Sequence, residues 1–405
     1  MSSFKKRTSL NQPKLPPGSR LSAHNGQLLT STGVPSFDDV LGGGLPIGSV
    51  LMIKEDKHTD YAQVLLKYFL AQGVASKHAI LLASADEDPQ KFIDSLPDFG
   101  GDKKEETEQK EKETAEGNEE KMTIAWRYQN LPKLNVSAAG LSNFKKSAMP
   151  TVGETASIYC HSFDLTKRMS ELSLDTATKH LIDMDKWEDE EDCKKLINEI
   201  RAQIENGFSA SSTPSSGTRN ILRVGIHSFA SIFWKHKNEQ QIFKFLHALR
   251  GLLRFSFGVC VLTVPAHLYS TEGGDSGFIR KLEHMCDAVV EIESFAGSEK
   301  LANFSSDYHG FFHVRKLPVL NAIVSSSAKL SILQSSHSTT NNLAFKLRRK
   351  RFTIETFHLP IEGGVGERRT SSKDEGDKKK EPSKFKKGPK IGCGSMPGRK
   401  DPLEF

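Results

Sequence analysis

Three consecutive glycines, Gly42, Gly43 and Gly44, then Gly48, stand directly before the apolar run Val50-Leu51-Met52-Ile53. Glycines at a strand entrance permit left-handed backbone and close approach of other groups. Where a loop rich in glycine also carries a lysine and a hydroxyl, its N–H groups cradle phosphate. The residues beyond the run do not complete such a site. Lys54-Glu55-Asp56-Lys57-His58-Thr59-Asp60 holds three carboxylates and no glycine. Carboxylates repel a polyphosphate, and side chains in place of glycine block its approach. Lys57 and Thr59 are the nearest chemical substitutes, at the wrong spacing for GK[ST]. Gly42, Gly43, Gly44 and Gly48 are therefore read as structural glycines.

Other chemistry-bearing residues are sparse. Five cysteines (Cys160, Cys193, Cys260, Cys286, Cys393) contain no CxxC, which argues against a disulfide framework and structural zinc. His284 and Cys286 read as packing rather than as a metal pair. No catalytic residue, metal ligand or cofactor is assigned.

Strand and helix signals alternate along the chain. Apolar runs predict strands at 48–54, 79–84, 221–229, 258–264 and 288–294, and helical spacing predicts helices over 61–73, 191–206, 239–254 and 277–286, with Gly73 as a helix cap. Such alternation implies an α/β fold with a mostly parallel sheet flanked by helices. The runs 311–318 and 350–359 lack intervening helices and predict antiparallel strands at one edge. Residues 1–27, basic and proline-rich, are expected to be disordered, as are insertions at 100–121 and 207–219 and a Lys-rich tail at 363–405. The ordered domain is then 28–362. With 37% hydrophobic and 26% charged residues, no run long enough for a membrane span, and no apolar h-region, a cytoplasmic and nuclear protein is expected. The net charge of +6 permits a nucleic-acid partner without requiring one.

The stretch TSTGVPSFDDVLGGGLPIGSVLMIK resembles the entry motif of RecA-like ATPases, where the strand leads into a P-loop. The resemblance implies a RecA-like fold with a degenerate P-loop. Its second hydrolytic element, a strand ending in Asp, falls on ILRVGIHSF, which offers His227 instead. A neutral imidazole does not replace a hard oxygen ligand for magnesium. EDKHTDYAQVLLKYFLAQG, LLASADEDP, KMTIAWRYQN, YCHSFDLTKRM and FFHVRKLP together resemble the PAX6-neighbour family, subunit four of the Elongator complex, over roughly 28–360.

That resemblance implies a non-enzymatic subunit of a hetero-hexameric RecA-like ring with Elongator subunits five and six. The ring associates with core subunits one to three, which modify the wobble uridine of tRNA at carbon five. It also implies two axial loops that handle tRNA, by position 231–240 and 265–277. The first carries Trp234, Lys235, His236 and Lys237, suited to phosphate contacts with an aromatic for stacking, and the second is followed by Arg280 and Lys281. IAWRYQ reads as core or interface packing. A divergent nucleotide-hydrolysing ATPase and a transcription-associated scaffold are the alternative readings.

Overall fold

Short apolar runs buried at every position form the centre of the computed structural model, which describes residues 15–100, 158–187, 191–211, 219–236, 238–271, 274–275, 277–297, 308–323 and 343–357. Residues 101–121 of the insertion expected at 100–121, the IAWRYQN segment, residues 212–218 of the expected linker and the 363–405 tail lie outside them.

The chain opens with β1 (Ser19–Leu21), β2 (Leu28–Thr30), α1 (Pro35–Val40) and β3 (Leu45–Pro46). It continues through β4 (Val50–Lys54), α2 (Tyr61–Ala75), β5 (Ala79–Ser84), α3 (Pro89–Asp94) and β6 (Pro97–Phe99). Next come β7 (Phe163–Arg168), α4 (Glu171–Thr176), β8 (Lys179–Asp183), α5 (Asp192–Gln203) and β9 (Leu222–Ile226). Then follow α6 (Glu239–Arg254), β10 (Gly258–Val264), β11 (Ser270–Thr271), β12 (Gly274–Asp275) and α7 (Gly277–Met285). The last strands are β13 (Ala288–Ser294), β14 (Gly310–Lys316), β15 (Leu343–Leu347) and β16 (Phe352–Thr356).

The main sheet runs β16-β15-β14-β13-β4-β10-β9-β5-β8. From β13 to β8 every pairing is parallel, while β14, β15 and β16 are antiparallel. This is the mostly parallel α/β sheet with antiparallel edge strands that the sequence implied. In β4, Leu51 and Ile53 join the core under α2, while Val50 and Met52 join the core under α5, α6 and α7; successive side chains of a strand point to opposite faces. The α6 helix forms because Ile242, Phe245, Leu246, Leu249 and Leu253 fall on one face, and the Asn238 side chain accepts from the Gln241 N–H at its start. Among the described residues no helix is long and apolar enough to cross a membrane.

Three expectations are corrected. Residues 15–27 of the basic N-terminus are ordered: β1 pairs with β2, and Arg20 donates to the Gly43 carbonyl at 2.7 Å. At 207–211 the expected linker begins with a turn in which Ala210 donates to the Phe255 carbonyl at 2.9 Å, and Ser209 bridges Ser256. Gly73 is not a cap but lies inside α2. A Cβ there would meet Cδ of Arg223 at 2.8 Å. Arg223, on β9, is fully buried. Its guanidinium donates to Thr30 Oγ1, the carbonyls of Ser31 and Phe69, and His78 Nδ1, at 2.6 to 3.0 Å. A short helix face without a side chain thus makes room for a cation that ties β2, α2 and β9 together.

Candidate functional site

The carboxyl ends of β4, β5, β9 and β10 open onto a cavity of about 440 Å³ lined by the 55–60 loop, Asp86, His227, Ser228 and His267. Ligands of parallel α/β sheets bind outside this edge. The glycine turn lies behind it. Gly42, Gly43, Gly44 and Gly48 have φ of 86°, 119°, 127° and 85°, the left-handed region. Gly44 is the tightest, because a Cβ would lie 2.1 Å from Tyr159 Oη and 2.6 Å from the Thr30 carbonyl. Tyr159 donates to the Gly43 carbonyl at 2.7 Å, and the Arg20 guanidinium stacks 4.0 Å from its ring.

Within the loop, the place of an anion is taken by the protein's own carboxylate. Asp56 Oδ2 accepts from the His58 N–H at 3.0 Å and from Thr59 Oγ1 at 2.9 Å. The Thr59 hydroxyl, the nearest substitute for a magnesium ligand, is thereby engaged. Asp60 stands at the N-terminus of α2, where its charge complements the helix dipole that would otherwise attract phosphate. Lys57 is exposed. Lys54 is buried and directed elsewhere, 3.3 Å from Glu283 and 3.2 Å from Glu291.

A hydrogen-bonded network closes the floor. Glu55 accepts from Ser228 Oγ at 3.0 Å, and burial raises its carboxyl pKa. Burial likewise raises Asp86, which accepts from Ser231 Oγ. The His227 backbone N–H donates to the Ala83 carbonyl, and its ring Nδ1 lies 3.2 Å from Ser84 Oγ. Burial, with the Lys67 charge second, lowers its pKa to about 4, so the ring is neutral at neutral pH. Ser228 and Ala230 hold φ of 45° and 61°, unusual for residues with a Cβ. Four carboxylates at the opening, Glu55, Asp56, Asp60 and Asp86, with the neutral His227 ring, favour cations or hydrogen-bond donors over polyphosphate. Among the described residues no group of three or more His, Cys, Asp or Glu side chains is placed to hold a metal ion.

The 231–240 loop departs from its expected role. Trp234 is buried against Phe229, ring centroids 4.8 Å apart, because the turn after Ser228 folds it under α6. It cannot stack on a base. The Lys235 N–H donates to Asp192 Oδ2 at 2.8 Å, and its ammonium donates to the carbonyls of Asp185 and Trp187. It pins the loop to the start of α5. The exposed side chains there include the apolar Ile232 and Phe233. Lys237 lies outside the described residues. Arg280 and Lys281 are exposed on α7, with the Lys281 ammonium 5.7 Å from the Phe243 ring of α6. They sit on a different element from Lys235.

Comparison with known proteins agrees with the motifs. Residues 12–388 match the PAXNEB protein family. The chain belongs to that family. Among PAXNEB relatives, "Elongator complex protein 4" of Xenopus laevis is 37% identical, the alignment covering 100% of this chain and 95% of that protein. The Homo sapiens protein of the same name is 37% identical over 96% of this chain and 88% of its own length. That of Dictyostelium discoideum is 33% identical over 95% and 86%. Among solved structures, a KaiC-like protein of Pyrococcus horikoshii OT3 aligns with TM-score 0.41 and 13% identity, over 81% of this chain and 98% of that one.

Of the site network, only the glycines, the acidic loop and His227 were legible in the sequence. Ser228 and Asp86 follow β9 and β5, and Thr263, whose hydroxyl accepts from the Ser228 N–H at 2.8 Å, lies near the end of β10. Only the β4-β10-β9-β5 order brings them to Glu55 and His227.

Proposed function

We propose that this chain is subunit four of Elongator, a non-enzymatic member of a hexameric ring with subunits five and six. In this reading the ring joins core subunits one to three in the cytoplasm and nucleus, binds tRNA and supports modification of its wobble uridine at carbon five. Family membership along the chain supports the complex. The observation that carries the non-enzymatic part is Asp56, whose carboxylate takes the loop N–H and hydroxyl that a phosphate would need. The test is nucleoside analysis of wobble uridines in cells lacking this chain. Loss of the carbon-five modification, restored by the wild-type chain and equally by Lys57→Ala, is the expected result; unchanged modification in the null cell overturns the proposal.

A further inference from the structure

At the antiparallel end of the sheet, far along the chain from the loops discussed above, two basic segments meet. The turn between β15 and β16 is Arg348-Arg349-Lys350-Arg351, four consecutive exposed cations. Arg348 and Arg351 close it through reciprocal backbone hydrogen bonds of 3.0 and 3.1 Å. The Leu165 N–H of β7 donates to the Lys350 carbonyl at 2.9 Å, which sets Lys167 and Arg168, both exposed, beside this turn. Next to the turn, a groove of about 350 Å³ lies between α2 and β7, lined by Lys67, Thr166, Lys167 and Arg168 and reaching Leu347 at the end of β15. Lys67 is half-buried with its ammonium 5.0 Å from the Phe92 ring, and burial lowers its pKa, with the Arg168 charge acting in the same direction.

Behind its hydrogen bond from Thr166, the Asp164 carboxyl is held down further by the Lys350 and Lys167 charges, but one carboxylate does not offset six cations. Like charges in adjacent positions of a hairpin repel and destabilise it. Cations do protect bare sheet edges, but the β16 edge is already covered: Phe352 donates to Tyr68 Oη at 3.2 Å and Ile354 to Ser36 Oγ at 2.9 Å. Arginine's planar fork suits phosphate oxygens. The groove is lined by cations, a hydroxyl and aliphatic carbon, with no exposed aromatic platform for unstacked bases. That combination suits the backbone of a double helix, where RNA is met through phosphates and 2′-hydroxyls.

We propose that the groove along β7, together with the basic β15–β16 turn beside it, binds the phosphodiester backbone of a double-helical RNA stem. This rests on the tRNA reading above and moves its contact surface from the 231–240 loop to the opposite end of the sheet. The test uses the full-length chain, co-purified with the subunits it assembles with. Binding of a tRNA and of an RNA duplex of about 16 base pairs is titrated between about 50 and 200 mM salt. Arg348→Ala with Arg349→Ala, and separately Lys167→Ala with Arg168→Ala, should each weaken both ligands. Each pair should flatten the logarithmic salt slope by up to about two units, roughly one per lost phosphate contact. Melting temperature and assembly should stay at wild-type values. Because the two pairs lie on different elements, misfolding of one leaves the other to decide. Wild-type slopes in a folded double variant overturn the groove while tRNA binding stands. Absence of salt-dependent tRNA binding by the wild-type assembly overturns the tRNA reading itself. Weakened binding of single-stranded RNA or anionic vesicles, with the duplex unaffected, overturns the assignment to a stem.

Discussion

Asp56 and Gly44 show two ways in which one residue settles local chemistry. Asp56 fills its own loop, and the exposed Lys57 beside it has no cradle to aim it. Lys57→Ala should therefore leave assembly, melting temperature and any nucleotide turnover of the assembled complex unchanged. A large loss of turnover with intact assembly would show that the loop holds phosphate after all. Gly44 combines a left-handed φ with contacts that leave no space for a Cβ. Gly44→Ala should destabilise by at least about 1 kcal/mol, read as a drop in the denaturant midpoint. Gly251→Ala, in α6 with nothing within 4 Å, should instead be neutral or stabilising by about 0.5–1 kcal/mol. His227 supplies a pH dependence. Its pKa falls from the ordinary 6.5 to about 4 on folding, so the unfolded chain binds the extra proton first. Stability from keeping this ring neutral is complete above pH 6.5 and is lost as pH falls toward 4, by up to about 3 kcal/mol. In His227→Asn the stability difference between neutral and acid pH should shrink by that amount, measured by denaturant unfolding across the range.

Elements built from long, one-sided apolar patterns were the legible ones. The helix at 239–254 and the strands at 79–84, 258–264 and 288–294 coincide with the sequence reading because buried leucine, isoleucine and valine run through each of them. The edge strand β8 was not seen, since Lys179-His180-Leu181-Ile182-Asp183 is short and mostly polar. β1 was hidden in a basic segment whose order comes from a partner strand, and Gly73 was misread because a packing gap for Arg223 looks like a cap. For function, the glycine cluster and acidic loop were readable, but the cations of the β15–β16 turn and of β7 are about 180 residues apart and meet only in the fold. Trp234 and Lys235 show the converse, residues suited to RNA by type and claimed by packing. Lys235→Ala should thus loosen the loop against α5. Three hydrogen bonds meet at this residue, one of them from the backbone and two from a partly exposed ammonium, so about 1 kcal/mol of stability is at stake. A salt-series titration of the variant should give the wild-type RNA slope. A slope lowered by a full unit at unchanged stability would return the RNA surface to the 231–240 loop.

At the scale of the molecule, the sheet ends differ. β16 is covered by α1 and by Tyr68 of α2, whereas among the described residues β8 has a strand neighbour on one side only. An open parallel edge is a liability for a chain on its own. The isolated chain should self-associate, and co-expression with Elongator subunits five and six should give a hexamer by native mass spectrometry. A well-behaved monomer that enters no hexamer would count against the ring. The position of β4 carries a further consequence, for synthesis. It is made early, yet its neighbours β10 and β13 begin at Gly258 and Ala288. At ribosomal rates of about 5–20 residues per second, the roughly 200 residues between β4 and β10 take on the order of 10–40 s. Throughout that interval Val50-Leu51-Met52-Ile53 emerges without either flanking strand, a sticky nascent segment that a chaperone must shield until the second half of the chain arrives.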